Sequence, residues 1–188
     1  MERTTISRAP VLPITVEELQ LWCRIDEIEN EEALLEGLIS AARDAAEAFT
    51  GRCLTACVFE YTFDTVHGRV YLSESVQNRL YLPDGPISAI TSVQVEDRFG
   101  VRSPLIEGED YLLRVNDTAS YIRLLRGFSA PTVVLRATAG YNDPEDIPHA
   151  IKQAIAVHAA SAYRGREGQD EAAETFQRLL RPYMLGVL

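Results

Sequence analysis

The sequence has little cysteine and no long apolar run. Three of its 188 residues are cysteines, too few for a disulfide scaffold, and we interpret Cys23, Cys53 and Cys57 as reduced, mostly buried thiols. No stretch of about 18 apolar residues, the length that crosses a bilayer, occurs. The first 18 residues also contain no apolar run of signal-peptide length. We therefore expect a globular protein that stays in the cytoplasm and has no contact with a membrane.

Positive charge is also scarce. The chain carries 18 Lys and Arg against 28 Asp and Glu, which gives a formal net charge of -10. Because affinity for phosphate backbones comes from cationic side chains that displace counterions, this balance opposes tight binding of nucleic acid. Lys152 is the single lysine, and all other basic residues are arginines. Arginine is favoured at interfaces, but a codon bias toward arginine explains the same count equally well.

The common catalytic motifs are missing as well. The sequence has no G-x-S-x-G elbow, no G-x-x-x-x-G-K-[ST] loop and no G-x-G-x-x-G turn. Cys53 and Cys57 offer two zinc ligands, but a zinc site needs three or four, and no spaced Cys or His pair completes the set. The histidines His67, His149 and His158 are isolated from one another in sequence. The pattern therefore does not indicate a metal site or a catalytic base.

Two acidic clusters, residues 26–32 and 143–146, contain the oxygen ligands that divalent cations prefer. Neither cluster has the EF-hand order, and both directly precede predicted helices, where negative charge complements the helix N-terminus. We therefore predict no metal, no cofactor and no enzymatic activity. An active site assembled from scattered residues stays open as an alternative.

Helical patterns occupy the first and last parts of the chain. Thr15 and Glu18 form a capping-box pattern that predicts a short helix to about Cys23. From Ala33 the apolar residues recur at spacings of three and four, which predicts a helix that ends at Gly51. The inward stripe of this helix is predicted to consist of Leu35, Leu38, Ala42, Ala45 and Phe49.

The C-terminal part of the chain contains two further helical patterns. A helix is predicted near Ile147, with Asp146 as its cap and Pro148 in its first turn. Its apolar stripe consists of Ile151, Ile155, His158 and Ala162. After a break at residues 164–168, a last amphipathic helix is predicted over residues 171–183.

Between these helices the apolar period changes from 3.6 to 2, which is typical of half-buried strands. Turn residues at 97–100 and 116–117 separate short segments, so an antiparallel sheet is the natural interpretation. The predicted strands are Val58–Thr65, Arg69–Leu72, Arg79–Leu82, Ile87–Val95, Tyr111–Val115, Tyr121–Leu124 and Thr132–Ala139.

These patterns predict an α+β fold. We expect one domain over residues 1–188, in which the N-terminal helices pack on a C-terminal helix as a small bundle with an inserted antiparallel β-sheet. The expected parts are the N-terminal helices at 13–54, the inserted β subdomain at 57–140, the closing helix at 146–167, and the C-terminal helix and tail at 170–188.

A series of short motifs extends over residues 13–167. Its N-terminal members are Pro13–Leu19, Trp22–Asp26, Ala33–Arg43 and Thr50–Leu54, and its later members are Leu82–Pro83, Pro86–Val93, Gly108–Tyr111, Ala139–Tyr141, Ile147–Ile155 and Tyr163–Glu167. In this order and spacing, the series resembles the head-tail connector (adaptor) family of tailed bacteriophages, which also occurs in gene transfer agents. The Trp22–Cys23 pair and the segment after Gly168 depart from the family pattern.

The resemblance implies a structural protein that is not an enzyme. It implies a ring of about a dozen copies below the portal protein, which continues the DNA channel and docks a tail-side connector or stopper protein. DNA would pass through this ring without specific binding. The implied location is the head-tail joint of a virion or phage-like particle, assembled in the bacterial cytoplasm. The alternatives are a ring component similar to a tail terminator, and a small metal-dependent hydrolase.

The segment 170–188 is a candidate partner-binding element because it lies beyond a glycine-containing break. It is predicted either to dock onto a partner such as the portal, as a helix in a groove, or to pack on its own bundle. The candidate residues are Phe176, Leu179, Leu180, Tyr183, Met184 and Leu188.

Overall fold

The computed structural model describes residues 1–24, 31–64, 79–115, 120–127, 132–165 and 169–185. Over these residues the chain forms four α-helices and eight β-strands. The helices are α1 (Val16–Cys23), α2 (Glu32–Thr50), α3 (His149–Arg164) and α4 (Gln169–Leu180). The strands are β1 (Glu2–Arg8), β2 (Cys57–Asp64), β3 (Arg79–Leu82), β4 (Ile87–Glu96), β5 (Arg102–Pro104), β6 (Tyr111–Arg114), β7 (Ser120–Leu124) and β8 (Thr132–Ala139).

The chain divides into two compact units. The β unit comprises Met1–Ala9 and Ala56–Gly140, and the helical unit comprises Pro10–Thr55 and Tyr141–Leu185. All strand pairs of the described residues are antiparallel. The predicted α+β class is therefore confirmed. No helix in the described ranges is long and apolar enough to span a bilayer.

Local chemistry fixes the start of α1 and the end of α2. The Thr15 amide donates to the Glu18 carboxylate at 2.8 Å, and the Glu18 amide donates to the Thr15 hydroxyl at 3.1 Å, so the predicted capping box is confirmed. Helix α2 ends at Gly51, whose positive φ of 71° places it in the left-handed region that favours glycine. The Gly51 amide donates to the Glu47 carbonyl at 2.8 Å.

The buried stripe of α2 differs from the predicted one. Its fully buried members are Leu35, Ile39, Ala42 and Ala46, whereas the predicted Leu38, Ala45 and Phe49 are only partly buried. The buried stripe is thus rotated slightly from the predicted one. Helices α1, α3 and α4 all contact α2, and the partly buried side chains lie at the edges of these contacts. The same core contains Leu19, Ile151, Ile155, Phe176 and Leu180, so it joins residues from all four helices.

The start of α3 corrects the predicted cap. Asp146 closes a short 3-10 turn at Pro144–Asp146, and the capping carboxylate of that turn is Asp143, which accepts from the Glu145 amide at 2.9 Å. Helix α3 begins after Pro148, which occupies the N-cap position without a side-chain cap. The prediction was wrong because an Asx-type turn uses the first acidic residue of the cluster and leaves the last one exposed.

The larger sheet has five strands in the order β1-β2-β8-β4-β5. Phe59, Tyr61 and Phe63 of β2 are buried and alternate with more exposed residues, as the two-residue period predicts. The outer strands β1 and β5 were missed by the sequence analysis, since every residue in them is exposed and carries no apolar alternation. Because edge strands are exposed to solvent, their sequences lack the alternation of apolar and polar residues that burial of one face produces.

The smaller sheet has three strands in the order β3-β7-β6. Its register places Leu80, Ile122 and Leu113 opposite one another on one face, and Ile122 is fully buried there. The predicted strand at 69–72 and the predicted turn at 116–117 lie outside the described residues. The other predicted strands are present with ends that differ by no more than two residues.

Candidate docking surfaces

The helical unit contains a cleft of about 500 Å³ between its N-terminal segment, the start of α2 and the start of α3. One part of its lining is apolar and includes Pro10, Val11 and Leu12. Around this part lie six carboxylate side chains and one ammonium group. We call this feature the acidic cleft, and its charged residues are Glu17, Glu18, Glu32, Glu36, Asp143, Glu145 and Lys152.

The carboxylates of the acidic cleft are exposed, whereas its lysine is not. Lys152 is 9% exposed and reaches Glu145 at 3.4 Å, which is a long contact for an ion pair. Glu32 and Glu36 are separated by one helical turn of α2, and both are exposed. Like charges at this spacing repel each other by about 0.2–0.5 kcal/mol. The cleft is therefore an anionic surface whose charge is only partly neutralised by the described residues of this chain.

Local hydrogen bonds keep one of these groups ionised. The backbone amide of Glu17 and, to a smaller extent, the Thr15 hydroxyl lower the pKa of the Glu17 carboxyl. These donors belong to the first turn of α1, where the helix N-terminus also favours negative charge. The anionic character of this side of the cleft is thus a consequence of how α1 begins.

The smaller sheet of the β unit has a face that carries positive charge, opposite in sign to the charge of the acidic cleft. The register places Arg79 opposite Arg123 and Leu112, and Tyr81 opposite Tyr121 and Arg114. Residues directly opposite in an antiparallel sheet share a face. We call this surface the arginine–tyrosine face, and it consists of Arg79, Tyr81, Leu112, Arg114, Tyr121 and Arg123. None of these six residues is acidic.

Aromatic contacts hold part of this face in place. The rings of Tyr81 and Tyr121 are 5.3 Å apart, and the guanidinium of Arg79 lies 5.0 Å from the centre of the Tyr121 ring. The Arg79 guanidinium donates a hydrogen bond to the Tyr81 hydroxyl, and this raises the pKa of Arg79 above its ordinary value. The face therefore presents an ordered cation beside two neighbouring rings.

The arginines of the larger sheet behave differently. Arg136 donates to Glu60 at 2.7 Å, and Arg102 donates to Glu96 at 2.7 Å and lies 3.4 Å from Glu60. The Arg136 hydrogen bond is the main reason why the pKa of Glu60 is lowered. These four charged side chains are thus paired with one another within the chain. In the described part of the chain, Arg114 and Arg123 on the arginine–tyrosine face have no such carboxylate partner.

The predicted C-terminal candidates are divided between core and surface. Phe176 and Leu180 are buried in the core of the helical unit, at 7% and 0% exposure. Leu179 and Tyr183 pack partly against the same core. Met184 is 49% exposed, and Leu188 lies outside the described residues. Partner binding by this segment therefore stays a prediction, and of the described candidates Met184 has the most accessible side chain.

Hydrogen bonds hold residues 183–185 of this segment against the end of α2 and the residues that follow it. The Leu185 amide donates to the Thr50 carbonyl at 2.8 Å, and Arg52 donates through Nε to the Tyr183 carbonyl at 2.5 Å. Inside the unit, the His158 ring lies 4.8 Å from the Phe176 ring, and burial lowers the pKa of His158. The C-terminal segment thus packs on its own unit up to Leu185.

The other candidates from the sequence are the cysteines and the histidines. Cys23, Cys53 and Cys57 form no disulfide bond, and the last two are buried. Among the described residues, no group of three or more His, Cys, Asp or Glu side chains is placed to hold a metal ion. His149 is exposed at the start of α3, and His67 lies outside the described residues.

Sequence reasoning missed both charged surfaces. The acidic cleft joins residues from positions 10–18, 32–36 and 143–152, which only the tertiary fold brings together. The arginine–tyrosine face depends on the register of three strands, of which β3 is separated from the other two by the whole of β4 and β5. A usable signal was present in β7, where Tyr121 and Arg123 take the polar positions of an alternating strand.

Residues 13–101 of this chain match the model of a known protein family. The matching family is described as Phage gp6-like head-tail connector protein. The resemblance inferred from the sequence motifs is thereby confirmed. Among curated proteins no match was found.

Among the solved structures that share this fold are three whose matching chain covers the whole length of this chain. The matching chain of "Virion of native gene transfer agent (GTA) particle" is 19% identical, with a TM-score of 0.78. The matching chain of "Neck of empty GTA particle computed with C6 symmetry" is 19% identical, with a TM-score of 0.76. The matching chain of "Neck of native GTA particle computed with C12 symmetry" is 20% identical, with a TM-score of 0.75. In each case 100% of this chain and 97% of the other chain are covered.

Proposed function

We propose that this protein is a structural head-tail connector of a tailed phage or a phage-like particle. The observation that carries the proposal is the match of residues 13–101 to a head-tail connector family. The full-length likeness in fold to chains of gene transfer agent particles, two of them from necks, supports the same role. The protein then acts by docking between copies and neighbours and has no enzymatic activity.

The finer features of the role follow from the same proposal. A ring of about twelve copies forms below the portal protein, continues the DNA channel and docks the next tail component. The C12 symmetry of the native neck that contains one of the similar chains supports a ring of this size. The net charge of -10 supports a channel that does not retain DNA, because few cations are available to displace counterions.

The domain arrangement belongs to the proposal too. The N-terminal helices at 13–54 and the closing helix at 146–167 pack as one bundle, and the β subdomain at 57–140 is inserted between them in sequence. The shared core of Leu35, Ile39, Ile151 and Ile155 supports this arrangement. Met184, an exposed residue of the C-terminal segment, is the first candidate for contact with the portal.

Electron microscopy of reconstituted particles tests the proposal. Purified protein is added to filled heads that carry a portal but lack a tail, and heads without a portal are the control. The proposal requires a ring at the portal vertex that appears only on portal-bearing heads. If the protein does not attach to these heads, or attaches equally to heads without a portal, the proposed function is wrong.

A further inference from the structure

The arginine–tyrosine face has a charge that the described chain does not balance. Arg79, Arg114 and Arg123 are exposed on a surface whose six members include no acidic residue, although the protein as a whole has an excess of carboxylates. Tyrosine and arginine are among the residue types most enriched at the energetic centres of protein interfaces. This surface therefore has the composition of a docking site for an anionic partner.

The acidic cleft has the complementary composition. Six carboxylates surround a lining that is partly apolar, and Lys152 is the single cation among them. Glu32 and Glu36 lie one turn apart on α2, so their like charges repel each other. A guanidinium group placed between them removes this repulsion and forms charge-assisted hydrogen bonds.

We propose that the arginine–tyrosine face of one copy docks against the acidic cleft of the next copy, and that this contact builds the ring. The inference rests on the proposed connector function. The two surfaces belong to different units of the chain and differ in composition, so their contact is heterologous. Heterologous contacts produce rings when the rotation between copies closes, whereas a contact of one surface with itself produces a two-fold dimer.

A second copy fits the arginine–tyrosine face better than DNA does. Three arginines neutralise few phosphates, and the net charge of -10 repels a polyanion at the distances over which steering acts. A second copy instead supplies six carboxylates beside apolar surface for the tyrosine rings. Duplex DNA is therefore tested as the competing ligand.

Charge reversal on each surface separately tests the contact. The sheet variant is Arg79→Glu with Arg123→Glu, and the cleft variant is Glu32→Arg with Glu36→Arg. All four side chains are exposed, so the fold is expected to persist, and thermal unfolding verifies this for each variant. The readout is the fraction of portal-bearing heads that acquire a ring, counted by electron microscopy.

The combined variant, with all four reversals in one chain, provides the decisive comparison. Each double variant alone places like charges across the contact, which lowers ring assembly by about tenfold or more. The combined variant restores opposite charges across the same contact and assembles substantially better than either double variant. Rescue of this kind is not expected if the two surfaces act independently.

Matched controls separate this contact from a general charge effect. Arg24→Glu with Arg98→Glu changes two exposed arginines elsewhere, and Glu107→Arg with Glu109→Arg changes two exposed glutamates elsewhere. These controls alter the net charge by the same amounts as the sheet and cleft variants. They are expected to assemble like the unmodified protein.

The outcomes distinguish this inference from the proposed function. If the unmodified protein forms no ring on portal-bearing heads, the proposed function fails. If it forms rings and the sheet and cleft variants do so equally well, or the combined variant is no better than they are, only the docking inference is overturned. Binding of duplex DNA by the unmodified protein, lost in the sheet variant while assembly is unchanged, also overturns it in favour of a nucleic-acid surface.

Discussion

The helical unit and the β unit distribute their charge in opposite ways. The helical unit gathers six exposed carboxylates around one cleft, whereas the smaller sheet of the β unit presents three arginines and two tyrosines on one face. A net charge of -10 conceals this separation. The chain thus carries two surfaces of opposite charge, each supported by buried residues of its own unit.

The strongest effect concerns the cores under the two surfaces. Ile122 lies beneath the arginine–tyrosine face and Ile155 in the helical core, and both are fully buried. Ile122→Ala and Ile155→Ala should each lower the free energy of unfolding by about 2–5 kcal/mol, because each leaves a cavity. Urea denaturation measures the loss. The control is Leu21→Ala, because the Leu21 side chain is 80% exposed. This substitution should change the free energy of unfolding by less than about 0.5 kcal/mol.

If Ile122→Ala lost as little unfolding free energy as Leu21→Ala, while Ile155→Ala lost much more, a packed core under the smaller sheet would be contradicted. The smaller sheet would then lack a supporting core, and its outer face would not be a rigid docking surface.

The next effect compares a buried carboxylate with an exposed one. Asp84 is 5% exposed in the β unit and accepts hydrogen bonds from the Tyr61 hydroxyl at 2.8 Å and from Arg3. Asp84→Asn removes the charge from these contacts and should lower the free energy of unfolding by about 1–3 kcal/mol. Glu36→Gln in the acidic cleft should be neutral or slightly stabilising, because it relieves repulsion with Glu32. Chemical denaturation of both variants checks the contrast, and an equal loss would contradict it.

A smaller effect is expected at the cap of α1, beside the acidic cleft. Thr15→Ala removes the acceptor for the Glu18 amide and should cost about 1 kcal/mol of unfolding free energy. Thr4→Ala, at an exposed position of the edge strand β1, is the matched control and should cost less than about 0.5 kcal/mol. Thermal melting of the two variants measures the difference. Equal melting temperatures would show that the capping box contributes nothing to stability.

The weakest effect is a pH dependence in the helical core. Burial lowers the pKa of His158 from its ordinary value of 6.5, so the unfolded chain takes up a proton at a higher pH than the folded one. His158 therefore makes the protein lose stability as the pH falls below 6.5. His158→Gln should flatten this part of the stability curve, which melting temperatures measured above and below pH 6.5 record. The same dependence of melting temperature on pH in both proteins would refute this assignment.

Local features of the fold were predictable from the sequence, whereas features that depend on register were not. The Thr15 cap and the end of α2 at Gly51 depend on neighbouring residues, so the sequence contains the full signal for them. The exposed edge strand β1 bears no periodic apolar signal. The pairing of Asp84 with Arg3 joins residues that are 81 positions apart, which no local pattern reports.

The candidate surfaces divide in the same way. Segment 170–188 was recognised as an amphipathic element from its period, but the period did not reveal that Phe176 and Leu180 complete the core of the chain's own helical unit. The two charged surfaces went unrecognised because their members become neighbours only after helices and strands have packed. The motif series supplied the family resemblance that local physics alone did not.

Native mass spectrometry of the protein mixed with the proposed partner, a portal protein, is the sharpest test of the proposed ring. We expect one dominant complex with about twelve copies of this chain per portal, and a loss of the complex in the sheet and cleft charge-reversal variants. A single bound copy, a variable number of copies, or no binding at all would show that the chain does not work as a portal-docked ring.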